Sequence, residues 1–272
     1  MLVFDPSALV EVTLVEATSD GSHGPPESLP PESGFGDDDG GGASMPGGIP
    51  PGESNTGRNA AKSAAAVEAL TAAGGAALAL EVDVTEEASV DALFALVAQR
   101  CGRIDILVNN AGINIRKPPD QLALAEWHEV LDTNLTSAFL CARAAHPHLK
   151  RAGGGKVINI GSMLSIFGAS FAPAYGASKG GVVQLTKSQA SAWAGDNIQV
   201  NAVLPGWIDT ELTQQARRDV SGLNERVVAR TPAGRWGRSD DLAGVAVFLA
   251  SSASDFITGT AIPVDGGYSM QV

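Results

Sequence analysis

A phenol and a primary amine stand four residues apart in the run Tyr175-Gly176-Ala177-Ser178-Lys179, which places them on one face of a helix. A hydroxyl, Ser162, lies thirteen residues before the tyrosine, after Ile158-Asn159-Ile160-Gly161 at the carboxyl end of an expected strand. Two carboxamides complete the set: Asn110 in Asn109-Asn110-Ala111-Gly112, and Asn134 in Asp132-Thr133-Asn134-Leu135. A free phenol titrates near about 10, too high for a base at neutral pH. A neighbouring cation favours the phenolate, so Lys179 is expected to bring Tyr175 toward a range in which it can take up and return a proton. Each residue alone has a plainer reading. Tyr175 could be a half-buried aromatic, Ser162 a loop cap and Asn134 a helix residue satisfying a bulge. Their order and spacing argue for one shared site.

The surrounding pattern supplies elements to position them. Ala77 to Val84 reads as a short apolar strand, and Thr85 as the cap of a helix that opens with Glu86 and Glu87 and runs to about Cys101. Ile104 to Val108 is a buried apolar run. A long helix is expected from about Leu124 to Arg151, then a strand over Lys156 to Ile160 and a helix over Pro173 to Ala194. A strand over Ile198 to Leu204, a helix opening at Ser239-Asp240-Asp241 and a last strand over Thr260 to Val264 follow. Continuous apolar strands alternating with helices imply an α/β fold, a doubly wound parallel sheet covered on both faces. Ligands of such sheets bind beyond the carboxyl ends of the strands, where Asn110 and Ser162 fall.

The first 56 residues are of a different kind. They hold ten of the chain's 30 acids and none of its 18 lysines and arginines, leaving 20 acids against 18 bases from Gly57 onward. Most of the net charge of −12 therefore belongs to this segment, and the remainder gives no electrostatic case for nucleic acid. Gly21 to Gly57 contains eleven glycines and seven prolines, a low-complexity composition expected to be irregular. Ala8 to Glu16 is its one plausible strand. Beyond it, Asn59 to Ala73 reads as an Ala-rich helix ended by Gly74-Gly75. No run approaches the length of a membrane span, and no secretory signal is evident. Two cysteines, Cys101 and Cys141, suggest neither a disulfide framework nor a metal site. A cytoplasmic setting is the default expectation, with a division into 1–56 and a domain over 57–272.

From about Gly57 to Val272 the chain resembles the classical short-chain dehydrogenase/reductase family. The resemblance rests on Asn109-Asn110-Ala111-Gly112, Ser162, Tyr175 with Lys179, Pro205-Gly206 and Asp265-Gly266-Gly267-Tyr268, in family order and spacing. It implies a Rossmann-like three-layer α/β/α fold and a reaction that interconverts a secondary alcohol and a ketone with NADP(H) or NAD(H). Tyr175 would be the acid/base, Ser162 would hydrogen-bond the reacting oxygen, Lys179 would also hold the nicotinamide ribose, and Asn134 would support a proton-relay water. By the same resemblance Asp83 and Val84 would meet the adenine. Asn110, Ala111 and Gly112 would border the cofactor, and Pro205, Gly206, Ile208 and Thr210 its nicotinamide end. Arg58, at the usual end of the second strand, suits a 2′-phosphate and points to NADP(H). Homodimers or homotetramers built on the two long helices are implied too, with small residues Ala174, Ala177, Ser178, Gly180 and Gly181 on the second. The segment Thr210 to Arg230 would form the substrate lid.

The family's opening strand, glycine turn (Thr-Gly-x-x-x-Gly-x-Gly), helix and second strand have no counterpart in residues 1–56. The abrupt join at Gly57 suggests a segment of different origin, such as a frameshifted or recombined gene start. Losing the two strands would split the family sheet, ordered 3-2-1-4-5-6-7; Ala8 to Glu16 could fill one place. Three functional readings stay open. The first is an oxidoreductase of sugar acids or polyols, with Arg116 either meeting a substrate carboxylate or standing as a solvated charge. The second is activity like that of 3-oxoacyl carrier-protein reductases. The third is a non-catalytic relic acting only as an oligomeric scaffold.

Overall fold

The computed structural model describes residues 78–210 and 221–270, together with 12–14, 67, 68, 72, 213, 214, 217 and 218. Arg58 and the tract from Gly21 to Gly57 lie outside the described residues. So do most of Asn59 to Ala73 and part of Thr210 to Arg230. Of the Ala-rich stretch, Val67, Glu68 and Ala72 are helical.

The strands are β1 (Val12–Leu14), β2 (Ile106–Asn109), β3 (Gly155–Ile160), β4 (Ile198–Pro205) and β5 (Ala261–Val264), adjacent in that order. β2 to β5 are parallel. The helices are α1 (Glu87–Cys101), α2 (Leu124–Leu131), α3 (Ser137–Arg151), α4 (Pro173–Trp193), α5 (Leu223–Arg230) and α6 (Ala243–Ala250). This is the doubly wound sheet that the alternation of elements implied, and it is Rossmann-like, as the family resemblance implied. Successive apolar residues of one strand serve opposite faces. Val157 of β3 is buried with Phe94 of α1 and Leu149 of α3, whereas its neighbour Ile158 is buried with Leu249 of α6. A strand covered on both faces has no side turned to water, hence the successive apolar residues Val157 and Ile158.

Three expectations are corrected. Residues 78–83 form no strand, although Val82 and Val84 are buried against the α1 face. A strand exists through its hydrogen-bonded neighbours, and the place beside β2 is taken by β1. β1 runs antiparallel, with Val12 opposite Asn109 and Leu14 opposite Leu107, so the described sheet is continuous and one of its strands departs from the parallel pattern. The segment Ala8 to Glu16 thus supplies a strand over three residues. Second, Thr85 is not a cap. The cap position of α1 is Glu86, with no side-chain bond, and Thr85 donates its N–H and hydroxyl to Asp83 Oδ1 instead, at 3.1 and 2.7 Å. Third, the expected single helix from Leu124 to Arg151 is α2 and α3 joined by a turn of π-helix, Asp132–Thr136.

Candidate active site

The π-turn puts Asn134 into the site. Widening one helical turn displaces the residue from the regular 3.6-residue ladder, a device concentrated at functional positions. Asn134 is 2% exposed, and its carboxamide grips the backbone of Ile113 at both ends. Oδ1 accepts from Ile113 N at 2.7 Å and Nδ2 donates to Ile113 O at 3.0 Å. Nδ2 also donates to Ser178 Oγ at 3.0 Å, and Ser178 in turn donates to the Tyr175 carbonyl at 2.8 Å. One side chain therefore ties the loop after β2 to the first turns of α4. Asn134→Ala orphans these buried groups at once. A loss of about 3 kcal/mol is expected, read as a melting temperature lower by roughly 6–12 °C in a chain of this size. A drop of under about 2 °C would show that the grip is not a structural element.

Ser162 follows β3 by two residues and does two jobs. Its Oγ accepts from Leu164 N at 3.1 Å, capping the short 3₁₀ turn Met163–Ser165, and it also hydrogen-bonds the Tyr175 phenol. The cap reading and the site reading of this residue both hold geometrically. Tyr175 and Lys179 sit on successive turns of α4, each 2% exposed, and the Lys179 ammonium lies 5.7 Å from the Tyr175 ring centroid. Lys179 Nζ donates to the Ile160 carbonyl at the end of β3, at 2.7 Å. Ser165 Oγ donates to the Lys179 carbonyl at 2.7 Å. Gly112 borders the same place, since a Cβ there would lie 3.4 Å from both Lys179 Nζ and Asn134 Oδ1.

The electrostatics differ from the expectation that Lys179 draws the phenol down. Burial pushes Tyr175 up to about 12, opposed by the Ser162 hydrogen bond and by the charge of Arg116. Arg116, whose charge lowers the phenol, is an exposed side chain in the loop after β2. Burial pulls Lys179 itself down to about 8, which makes it a weak source of positive field above neutrality. The sign is testable. The unfolded chain keeps the lysine proton to about 10.5, so between about 8 and 10 the unfolded state binds more protons and stability rises with pH. That rise should be missing in Lys179→Met. Denaturant titrations of both proteins at pH 8 and 10 (about two units apart, below the range where Tyr175 would reverse the trend) give the comparison. An equal rise in both would mean that Lys179 is not held neutral by burial.

Of the other expected cofactor residues, Asn110, Ala111, Pro205, Gly206, Ile208 and Thr210 lie at or just beyond the carboxyl ends of β2 and β4. Asn110 and Ala111 are half-buried directly after β2. Asn109, before them, donates to Asn159 Oδ1 at 2.8 Å, and Asn159 donates to Thr186 at 2.9 Å, a buried polar ladder from β2 through β3 to α4. Pro205 ends β4, and Gly206 abuts Asp265, whose Cα a Cβ at Gly206 would meet at 2.6 Å. Ile208 is buried, and its carbonyl accepts from Thr213 Oγ1 at 2.7 Å. The Thr210 N–H donates to the same hydroxyl at 2.8 Å. Trp207 stacks edge-on with Trp236 and Tyr268, at 5.5 and 6.5 Å. Val84 is buried in the apolar core. His146 is half-buried against Trp193 and within 2.9 Å of Asp196.

Sequence reasoning passed over Ser178, Ser165 and Asn114. Ser178 counted only as a small residue for helix packing, whereas it and Ala174 are fully buried within the chain. Gly181 is held small by Leu135, whose Cδ2 a Cβ would meet at 2.7 Å. Among the described residues no helix is long and apolar enough to cross a membrane.

The family described as enoyl-(acyl carrier protein) reductase matches residues 55–269. The 2-dehydro-3-deoxy-D-gluconate 5-dehydrogenase of Bacillus subtilis is 49% identical over 61% of this chain and 65% of its own length. The 5-keto-D-gluconate 5-reductase of Escherichia coli is 42% identical over 76% of this chain and 81% of its own length. Among solved structures, a gluconate 5-dehydrogenase of Burkholderia cenocepacia in complex with NADP and tartrate is 42% identical. It superposes with a TM-score of 0.75 over 79% of this chain and 84% of that one.

Proposed function

We propose that this chain, which belongs to the short-chain dehydrogenase/reductase family, interconverts a secondary alcohol of a sugar acid and its ketone with NADP(H). The observation that carries the reading is the convergence of Tyr175, Ser162, Lys179 and Asn134 at the carboxyl ends of β2 and β3. The relatives act on gluconate-type acids by name, and three similar structures hold NADP. The nicotinamide end fits the residues present: bare backbone at Gly112 beside the Lys179 ammonium, which would hold the ribose, and buried Ile208 beyond β4. Asp83 and Val84 would border the adenine, and Arg58 would meet the 2′-phosphate. The cofactor, when bound, supplies or accepts the hydride.

The protein's own part is the proton. With Tyr175 raised to about 12, the phenol is neutral at pH 7 and stands in the donating state. That state suits ketone reduction: Tyr175 gives its proton to the oxygen that Ser162 holds. The phenolate is then reprotonated past Lys179 through a water beside Asn134. Arg116 would bind the carboxylate of the acid, and its field already reaches the phenol.

Arg116→Gln should raise KM for 5-keto-D-gluconate by about 10-fold or more, the worth of a charged hydrogen bond. Reduction of a ketone without a carboxylate should change far less. NADPH oxidation followed spectrophotometrically measures both, and equal effects on the two ketones would remove Arg116 from carboxylate binding. A non-catalytic scaffold is the second reading, because residues 1–54 lie outside the family match. NADPH fluorescence on titration with protein separates the two, absence of binding at millimolar cofactor favouring the scaffold. A homodimer or homotetramer on α3 and α4 also stays a proposal, now resting on outward Ala177 and half-buried Gly180 rather than on all five small residues.

A further inference from the structure

Asn114 is 7% exposed, and neither Oδ1 nor Nδ2 of its carboxamide has a hydrogen-bond partner among the described residues. A buried amide in that state destabilises the fold, and an apolar side chain of the same shape would not. Its backbone is held in place. The preceding residue, Ile113, is gripped at N and O by Asn134, and Ile113 and Ile115 both pack into the apolar cluster that contains Tyr175. Gly112, two residues back, borders Lys179 and Asn134. The orphaned amide thus belongs to the loop that bounds the catalytic groups.

We propose that Asn114 is a specificity-determining residue that receives two hydroxyl groups of a polyhydroxylated substrate. This deepens the sugar-acid reading and rests on it. The chemistry selects the ligand class. A carboxamide offers an acceptor and a donor side by side. Neighbouring hydroxyls of a sugar acid offer a donor to Oδ1 and an acceptor to Nδ2. An acyl chain offers neither and would leave both atoms orphaned, so the amide argues against a fatty-acyl ligand at this place. A site built to hydrogen-bond hydroxyls rejects analogues that lack them more strongly than an apolar pocket rejects an extra group.

The test is Asn114→Leu, close in volume and without polar atoms. Ligand-free, the variant should melt a few degrees above wild type, because the orphaned amide is gone. A lower melting temperature would overturn the proposal, since it would show the amide satisfied by water or by a second copy of the chain. The ratio of kcat/KM for gluconate to that for 4-hydroxycyclohexanecarboxylate, which has one hydroxyl, should fall at least tenfold. An unchanged ratio, or a rise confined to the KM for NADPH, overturns the proposal alone. A wild-type protein that neither binds nor turns over any sugar acid overturns the functional reading and this proposal with it.

Discussion

Tyr175→Phe is expected to lower turnover by about 10³-fold, inside the roughly 10²–10⁴ range of a positioned acid/base group, and to leave the fold intact. The substitution deletes one oxygen. The ring keeps its place in the apolar cluster with Ile113, Val130, Ala172 and Ala174. Ser162 keeps its bond to Leu164 N, so its hydroxyl retains a partner. Burial already opposes ionisation of the phenol, so removing it relieves a desolvated group and sacrifices one hydrogen bond. The melting temperature should therefore move by only a few degrees. Steady-state rates at saturating ketone and NADPH, set beside thermal melts, check both halves. A variant retaining more than a tenth of the wild-type rate would take the acid/base role from Tyr175. A collapsed melt would make any rate loss structural.

Replacing residues 1–56 with a family-type strand, glycine turn, helix and strand is expected to tighten NADPH binding by about 10²–10⁴-fold. A pyrophosphate is held by backbone N–H groups converging at a helix N-terminus, aided by the helix dipole. Residues 1–56 carry ten carboxylates and no lysine or arginine, with Asp37, Asp38 and Asp39 directly before their longest glycine run. That charge repels the anion. Two charge-assisted hydrogen bonds at roughly 1.5–3 kcal/mol each, about 3–6 kcal/mol together, correspond to the stated range at about 1.4 kcal/mol per tenfold. Fluorescence titration of both chains with NADPH measures it. Micromolar binding by the native chain would show instead that a phosphate site exists within the first 56 residues, and the expected gain would vanish.

Residue type and spacing determined much of this protein. Short, largely apolar runs separated by helical periods specify β2 to β5 and the helices between them, because each strand is covered on two faces and each crossover must span the sheet. The i, i+4 pair Tyr175 and Lys179 and the hydroxyl at the end of β3 were legible because they lie on regular elements whose geometry is local. Tertiary contacts decided what local geometry does not contain. The apolar run at Val82 and Val84 has strand character yet forms no strand, since a ladder needs a neighbour and β1 occupies the edge of the sheet. The helix through Asn134 breaks into a π-turn because its carboxamide is claimed by Ile113 and Ser178, residues 21 and 44 positions away. Burial dominates the phenol, and the exposed Arg116, to which residue spacing assigned no part in tuning it, is a cation that opposes the rise. Burial, a property of the folded chain alone, takes from Lys179 part of the charge that its sequence position promised.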